Sequence, residues 1–243
     1  MTLRSLLPRA ALLLTALATA TAACAPPAAS GPMPAGLPLD SLYHRAIYDA
    51  AVYRLENVHL LNAAKPDTSG NLRVVTFTSW TGYTAGVDTM DENVWVTLVP
   101  EVRDSCRGFG TGLRLRINQL LGLPPDGGDT LMVEMTVPVT ALFRPVADPA
   151  VTTPYPCGDS IQAGCGQSFP PGVTPEHVLF IANQFLTRWQ VPNGYPWTRL
   201  GYTYNWHPGS PRYGASEYLV RNGTIATGVT VQNVRAYCAP PPR

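Results

Sequence analysis

The chain has 243 residues, and its 17 Lys plus Arg almost cancel its 16 Asp plus Glu, so it offers no field of either sign with which to hold nucleic acid. Charged residues make up only 14% of it and prolines number 25, a composition that favours turns and extended segments over long surface helices. Disorder is excluded by a hydrophobic content of 45%, enough to supply a core.

Residues 1–9 carry Arg4 and Arg9 and are followed by the apolar run 10–20 and then by Thr21-Ala22-Ala23-Cys24. Basic, apolar and small in that order, residues 1–23 read as a signal peptide. The apolar run is shorter than the roughly 18 to 20 residues that a helix needs to span a bilayer. Two cleavage routes are open. Ala18-Thr19-Ala20 and Ala20-Thr21-Ala22 suit ordinary signal peptidase, which would release a soluble secreted or periplasmic protein. Alternatively, Thr21-Ala22-Ala23-Cys24 resembles the lipobox of bacterial lipoproteins, with Thr21 where leucine is usual. That resemblance implies that Cys24 is lipidated, becomes the first residue and anchors the chain to a membrane of the cell envelope.

Cysteine parity favours the lipoprotein route. There are five cysteines, and an exported chain meets an oxidising compartment in which an even number is expected. Removing Cys24 into a thioether leaves Cys106, Cys157, Cys165 and Cys238 to pair. Loss of Arg4 and Arg9 also turns the balance to 15 positive against 16 negative, so neither anionic lipid nor DNA is captured by charge. Residues 24–38 hold five prolines and no charge, and read as a tether reaching at most about 40 Å at roughly 3 Å per residue.

Residues 39–243 read as one domain, with no internal repeat or linker. Asp40 is expected to cap a short helix with Tyr43, Ala46, Ile47, Ala50 and Ala51 inward; residues 52–61 suit helix or strand equally. Strands are predicted at 73–80, 93–99, 113–117 and 131–137 from their β-branched and aromatic content, and Asn222-Gly223 predicts a hairpin between 216–221 and 224–234. Thr174, Pro175 and Glu176 open a second helix, with Val178, Phe180, Ile181, Phe185 and Trp189 as its apolar side. The expected fold class is mainly β (or α+β): an antiparallel sandwich or open barrel with one or two covering helices, braced by disulfides. Four cysteines allow three pairings. The short spacing of Cys157 and Cys165 inside the proline-rich segment 145–171 favours that bridge, leaving Cys106 with Cys238.

No metal or cofactor is expected. Cys157 and Cys165 are too far apart for a zinc knuckle, and His44, His59, His177 and His207 are scattered. Gly158-Asp159-Ser160 has the first letters of GDS-type esterases, yet the chain contains no Asp-x-x-His to supply their base. Gly82-Tyr83-Thr84-Ala85-Gly86 outlines a nucleophile elbow but lacks a following helix pattern. The glycines of 108–112 lead into the predicted strand at 113–117, so they should meet no helix N-terminus and bind no phosphate.

Carboxylates and aromatics carry what chemistry there is. Among Asp91, Glu92, Glu101 and Glu217, the last stands out because residues 214–220 (GASEYLV) are otherwise uncharged. Trp189, Tyr195, Trp197, Tyr202, Tyr204 and Trp206 crowd into 18 positions. As a strand through 197–206, Leu200, Tyr202, Tyr204 and Trp206 would form a core face, or else a stacking platform for a flat ligand such as a sugar, made by Trp197, Arg199, Tyr202, Trp206 and Arg212 beside Glu217. Residues 196–206 (PWTRLGYTYNW) with 214–220 are similar to the C-terminal part of a group of exported bacterial proteins of unassigned activity, which implies export and no particular reaction. The expectation is thus a lipid-anchored cell-envelope protein with a non-catalytic binding or structural role, its partner a glycan or another envelope protein. The alternative is an exported hydrolase of glycans that uses Glu217 with a second carboxylate.

Overall fold

The computed structural model describes residues 33–240; the expected signal peptide and Cys24 lie outside the described residues. Helix α1 (Leu39–Ala51) turns Leu42, Tyr43, Ala46, Ile47 and Ala50 inward at three- and four-residue spacing, so burial of one stripe holds it. Its N-cap is Pro38 rather than Asp40; Asp40 stands inside the first turn, where its charge complements the helix dipole. Before α1, Met33 is only 2% exposed and bridges Pro208, so the stretch expected to be a tether is already packed at its distal end. The undecided residues 52–61 form neither helix nor strand beyond a single 3-10 turn at Leu55–Asn57.

The remaining elements are β1 (Asn71–Thr78), β2 (Gly86–Thr89), β3 (Val94–Leu98), α2 (Glu101–Cys106), α3 (Leu113–Leu121), β4 (Leu131–Pro138), β5 (Leu142–Phe143), α4 (Pro175–Thr187), β6 (Tyr202–Tyr204), β7 (Tyr213–Ser216), β8 (Tyr218–Val220), β9 (Ile225–Asn233) and α5 (Val234–Tyr237). Seven strands form one antiparallel sheet in the order β2-β9-β4-β1-β3-β8-β5, and β6 with β7 forms a small second sheet. The fold is mainly β and open, with no closed barrel among the described residues. It carries five helices where one or two were expected.

Two local expectations are corrected. Residues 113–117 belong to α3, because the alternation of Leu and Arg ends at Ile117 and the chain continues as Asn118-Gln119-Leu120-Leu121 with Ile117 and Leu120 buried. Glycines in left-handed backbone close α3 at both ends, Gly112 at φ 78° and Gly122 at φ 69°. The glycine cluster of 108–112 therefore does lead into a helix, contrary to the expectation. Asn222-Gly223 makes a turn, with Thr224 N–H donating to Arg221 C=O at 3.2 Å, but no hairpin follows. β8 pairs with β3 and β5, while β9 pairs with β2 and β4. Met90, between β2 and β3, bonds the turn from both sides, at 2.9 Å to Thr224 and 2.7 Å to Gly223. β2-β3 and β8-β9 thus run as one bent ribbon around the end of the sheet.

Helix α4 starts as expected, with the Thr174 hydroxyl accepting from His177 N–H at 3.4 Å. Its buried stripe, however, is His177, Ile181 and Gln184, and Phe185 is 43% exposed. Polar side chains take inward positions because each finds a partner there: His177 Nε2 lies 2.7 Å from Val146 C=O, and Gln184 Oε1 accepts from Arg188 Nε at 2.6 Å. Both expected disulfides are present. Cys106–Cys238 closes a separation of 132 residues and Cys157–Cys165 one of eight.

The pleat sorts the large sheet into two faces. Leu72, Val74, Val96, Leu98, Val133, Met135, Val137, Tyr218 and Val220 pack together on one. Val75 and Met132 point to the other, where Val102 and Cys106 of α2, Ile117 of α3 and Tyr237 of α5 cover them. Next to α3, β7 comes so close that a Cβ at Gly214 would lie 2.2 Å from Leu120 O and 2.3 Å from Thr203 Oγ1, so only glycine fits. The helical cover is tight over β4 and lifts away over β3.

Candidate ligand-binding cleft

Where the cover lifts, a cleft of about 290 Å³ opens between the sheet and the layer above it. Its floor comes from Val75 and Phe77 of β1, Trp95 and Thr97 of β3, Met132 of β4, and Glu217. Register explains the grouping. Val75 is paired with Thr97, and the β3–β8 ladder runs Val94 to Val220, Trp95 to Leu219 and Val96 to Tyr218, so its next step sets Thr97 beside Glu217. The cover supplies Val102, Leu121 to Leu123, Arg188, Tyr195 to Trp197, Thr203 and Tyr204.

Most polar groups on this wall are already satisfied. Thr203 Oγ1 donates to Leu120 C=O at 2.7 Å and accepts from Ala215 N–H at 2.9 Å, the Tyr204 hydroxyl donates to Asp49 Oδ2 at 2.7 Å, and Trp197 Nε1 donates to Pro145 C=O at 3.0 Å. Two are not. Glu217 Oε2 and Thr97 Oγ1 are buried without a hydrogen-bond partner. Burial pushes the Glu217 carboxyl up to about 8, against the opposing pull of the Arg188 guanidinium, so at neutral pH it is mostly a neutral acid. Arg188 itself forms no ion pair among the described residues. Its guanidinium carbon lies 4.9 Å from the ring centre of Trp95 and 5.1 Å from that of Tyr195.

Of the residues singled out in the sequence, Tyr195, Trp197, Tyr204 and Glu217 line the cleft and the others do not. The expected strand through 197–206 is cut by left-handed backbone at Arg199 (φ 54°) and Gly201 (φ 83°), leaving only β6. Arg199 is turned away: its Nη2 donates to Ala51 C=O at 2.6 Å and its guanidinium lies 4.6 Å from the Trp189 ring centre. Tyr202 donates its hydroxyl to Asn57 C=O at 2.7 Å. Trp206 is fully buried against Tyr43 and donates Nε1 to Leu123 C=O at 2.9 Å. Arg212 is held in an ion pair with Asp49. Leu200, Tyr202, Tyr204 and Trp206 are core.

The other candidate carboxylates stand elsewhere. Asp91 and Glu92 are exposed, and Glu101 accepts from Asn62 Nδ2, Ser216 N–H and Ser216 Oγ, each at 2.7 Å. None of them lines the cleft, so among the described residues Glu217 has no second carboxylate of a hydrolytic pair there. Gly158-Asp159-Ser160 lies within the loop closed by Cys157 and Cys165, and the Gly82–Gly86 segment leads into β2 rather than a helix. No group of three or more His, Cys, Asp or Glu is placed to hold a metal among the described residues.

Arg188, Trp95 and Thr97 are cleft residues that the sequence did not single out. Arg188 is an ordinary basic residue just past a helix C-terminus, and Thr97 is one β-branched residue in a strand of them. Strand register brings Trp95 and Thr97 to the cleft and the packing of α4 brings Arg188, and a single sequence encodes neither. Comparison with known proteins adds nothing to this geometry: the chain matches no family model, no curated protein and no solved structure.

Proposed function

We propose that this chain is an exported, lipid-anchored protein of the bacterial cell envelope whose β domain binds a small ligand in the cleft between sheet and cover, without catalysing its turnover. The observation that carries the binding reading is the Glu217 carboxyl: its Oε2 is buried, has no hydrogen-bond partner among the described residues and faces a cavity. Leaving such a group unmatched costs about 1 to 3 kcal/mol, which a bound ligand would recover. Export and anchoring rest on the basic-apolar-small N-terminus, the lipobox-like Thr21-Ala22-Ala23-Cys24 and the pairing of the other four cysteines. No helix among the described residues is long and apolar enough to cross a membrane.

Methyl NMR on Val75, Val102, Leu121 and Leu123 tests the cleft. Saturable shifts confined to these residues on addition of small apolar fragments are expected, and their absence across a fragment set would defeat the proposal. Intact mass tests the anchor: a mature protein that begins at Cys24 with added acyl mass supports it, and an unmodified Cys24 rejects it. The hydrolase reading would return only if glycan turnover were detected and abolished by Glu217→Gln in a folded variant.

A further inference from the structure

We infer that the ligand is a small carboxylic acid with an apolar body, its carboxylate held by the guanidinium of Arg188 and by hydrogen bonds from Glu217 and Thr97. This deepens the binding reading above and rests on it. Arg188 is oriented by the bond from its Nε to Gln184 Oε1 at 2.6 Å and by the rings of Trp95 and Tyr195, while its two Nη groups make no hydrogen bond or ion pair among the described residues. A guanidinium fixed through Nε and free at both Nη atoms presents the fork that receives a carboxylate bidentately. Thr97 Oγ1 can donate as well.

Glu217 completes the set. At neutral pH it is mostly protonated, so it offers an O–H instead of a competing negative charge, and the cleft is left with the single positive charge of Arg188. An ammonium ligand would be repelled by that charge, and a neutral sugar would leave the fork unused. The rest of the wall, including Val75, Phe77, Val102, Leu121 and Met132, is apolar and suits an alkyl or aryl body. A cleft of about 290 Å³ suits a small ligand.

Around Glu217, the charged group facing it is Arg188, and the other titratable lining groups are Tyr195 and Tyr204; the lining parts of β1, β3, β4, α2 and α3 contribute none. Raising the pH through about 8 ionises Glu217 beside a bound carboxylate, so affinity falls.

The test is calorimetric titration of the full chain with octanoate, 1-octanol and octylamine, three ligands with one body and different heads. At pH 6.5 octanoate is expected to bind at least tenfold more tightly than octanol, and octylamine not detectably. Between pH 7 and 9 octanoate should weaken about tenfold, and Glu217→Gln should remove that dependence while keeping the binding. Arg188→Met should cost octanoate tenfold or more and leave octanol unchanged. Should Arg188→Met fail to fold, the pH series and Thr97→Val, expected to weaken octanoate severalfold, decide instead. Octanol or octylamine binding as tightly as octanoate, or a flat pH series, overturns the assignment of ligand class while the cleft reading stands. If none of the three binds and no cleft methyl responds to any fragment, the binding reading itself falls, and this inference with it.

Discussion

Two carboxylates stand at the large sheet, Glu134 within it and Glu217 between β7 and β8, and the protein treats them in opposite ways. Glu134 on β4 is 2% exposed and is met by Arg73 from β1 and Arg103 from α2. Glu217, beside β3, faces Arg188, but its Oε2 has no hydrogen-bond partner among the described residues. Around Glu134 the cover is closed, with Arg103 stacked 4.5 Å over the Tyr237 ring and the Cys106–Cys238 bridge beside it. Around Glu217 the cover stands off and the cleft opens. A buried carboxylate with both cations in place belongs to the architecture; a buried carboxyl oxygen without a hydrogen bond is one that folding alone does not explain. Asp49 points the same way, since it too is fully engaged, by Arg54, Arg212 and Tyr204.

The contrast can be broken from the closed side first. Cys106→Ala with Cys238→Ala removes a cross-link over 132 residues and should lower stability by up to about 5 kcal/mol in urea unfolding, the largest effect of any change named here. Glu134→Ala leaves Arg103 half-buried and unpaired and should cost about 3 to 4 kcal/mol at pH 7; a loss under about 1 kcal/mol would mean the pair is a surface one.

Glu217 should respond with the other sign. Its carboxyl is raised from 4.5 to about 8, so the folded protein holds the proton more tightly than the unfolded chain. The linked stability is complete below about 4.5, is lost progressively as pH rises through that window, and is gone above about 8. Glu217→Gln removes the titration. Urea unfolding should show the variant gaining on the parent protein by on the order of 4 kcal/mol between pH 5 and pH 9. A gap that does not change with pH would show that the carboxyl is solvated. The smallest effect separates two threonines. Thr97→Val removes an unmatched hydroxyl and should be neutral or stabilising by up to about 1 kcal/mol, whereas Thr203→Val breaks two good bonds and should cost about 1 to 2 kcal/mol.

How far the sequence foretold this depends on whether the signal was local. β1, β3, β4, the start of α4 and both disulfides were legible, because each rests on a short run of residues or on parity. Helix α3 was not, although Gly122 just past Leu121 is a stop signal that was available; the alternation of Leu113 to Arg116 outweighed it. Asn222-Gly223 gave the turn and misled about the strands, since which strands pair is decided by the whole sheet. In the cleft, Glu217 could be noticed as a lone charge in an uncharged run. Its neighbours could not: Thr97 reaches it through strand register, Arg188 through the packing of α4, and neither relation leaves a mark in residue order.

The bent ribbon of β2-β3 with β8-β9 also bears on how the molecule is made. β4, near the middle of the sheet, lies between β1 and β9, and β3 lies between β1 and β8, so residues 218–233 complete strands laid down more than 80 positions earlier. Pairings so remote in sequence fold slowly. Until they form, β3 and β4 each present an open edge on which a second chain could add. The last strands are therefore the ones that make this protein safe from its own copies.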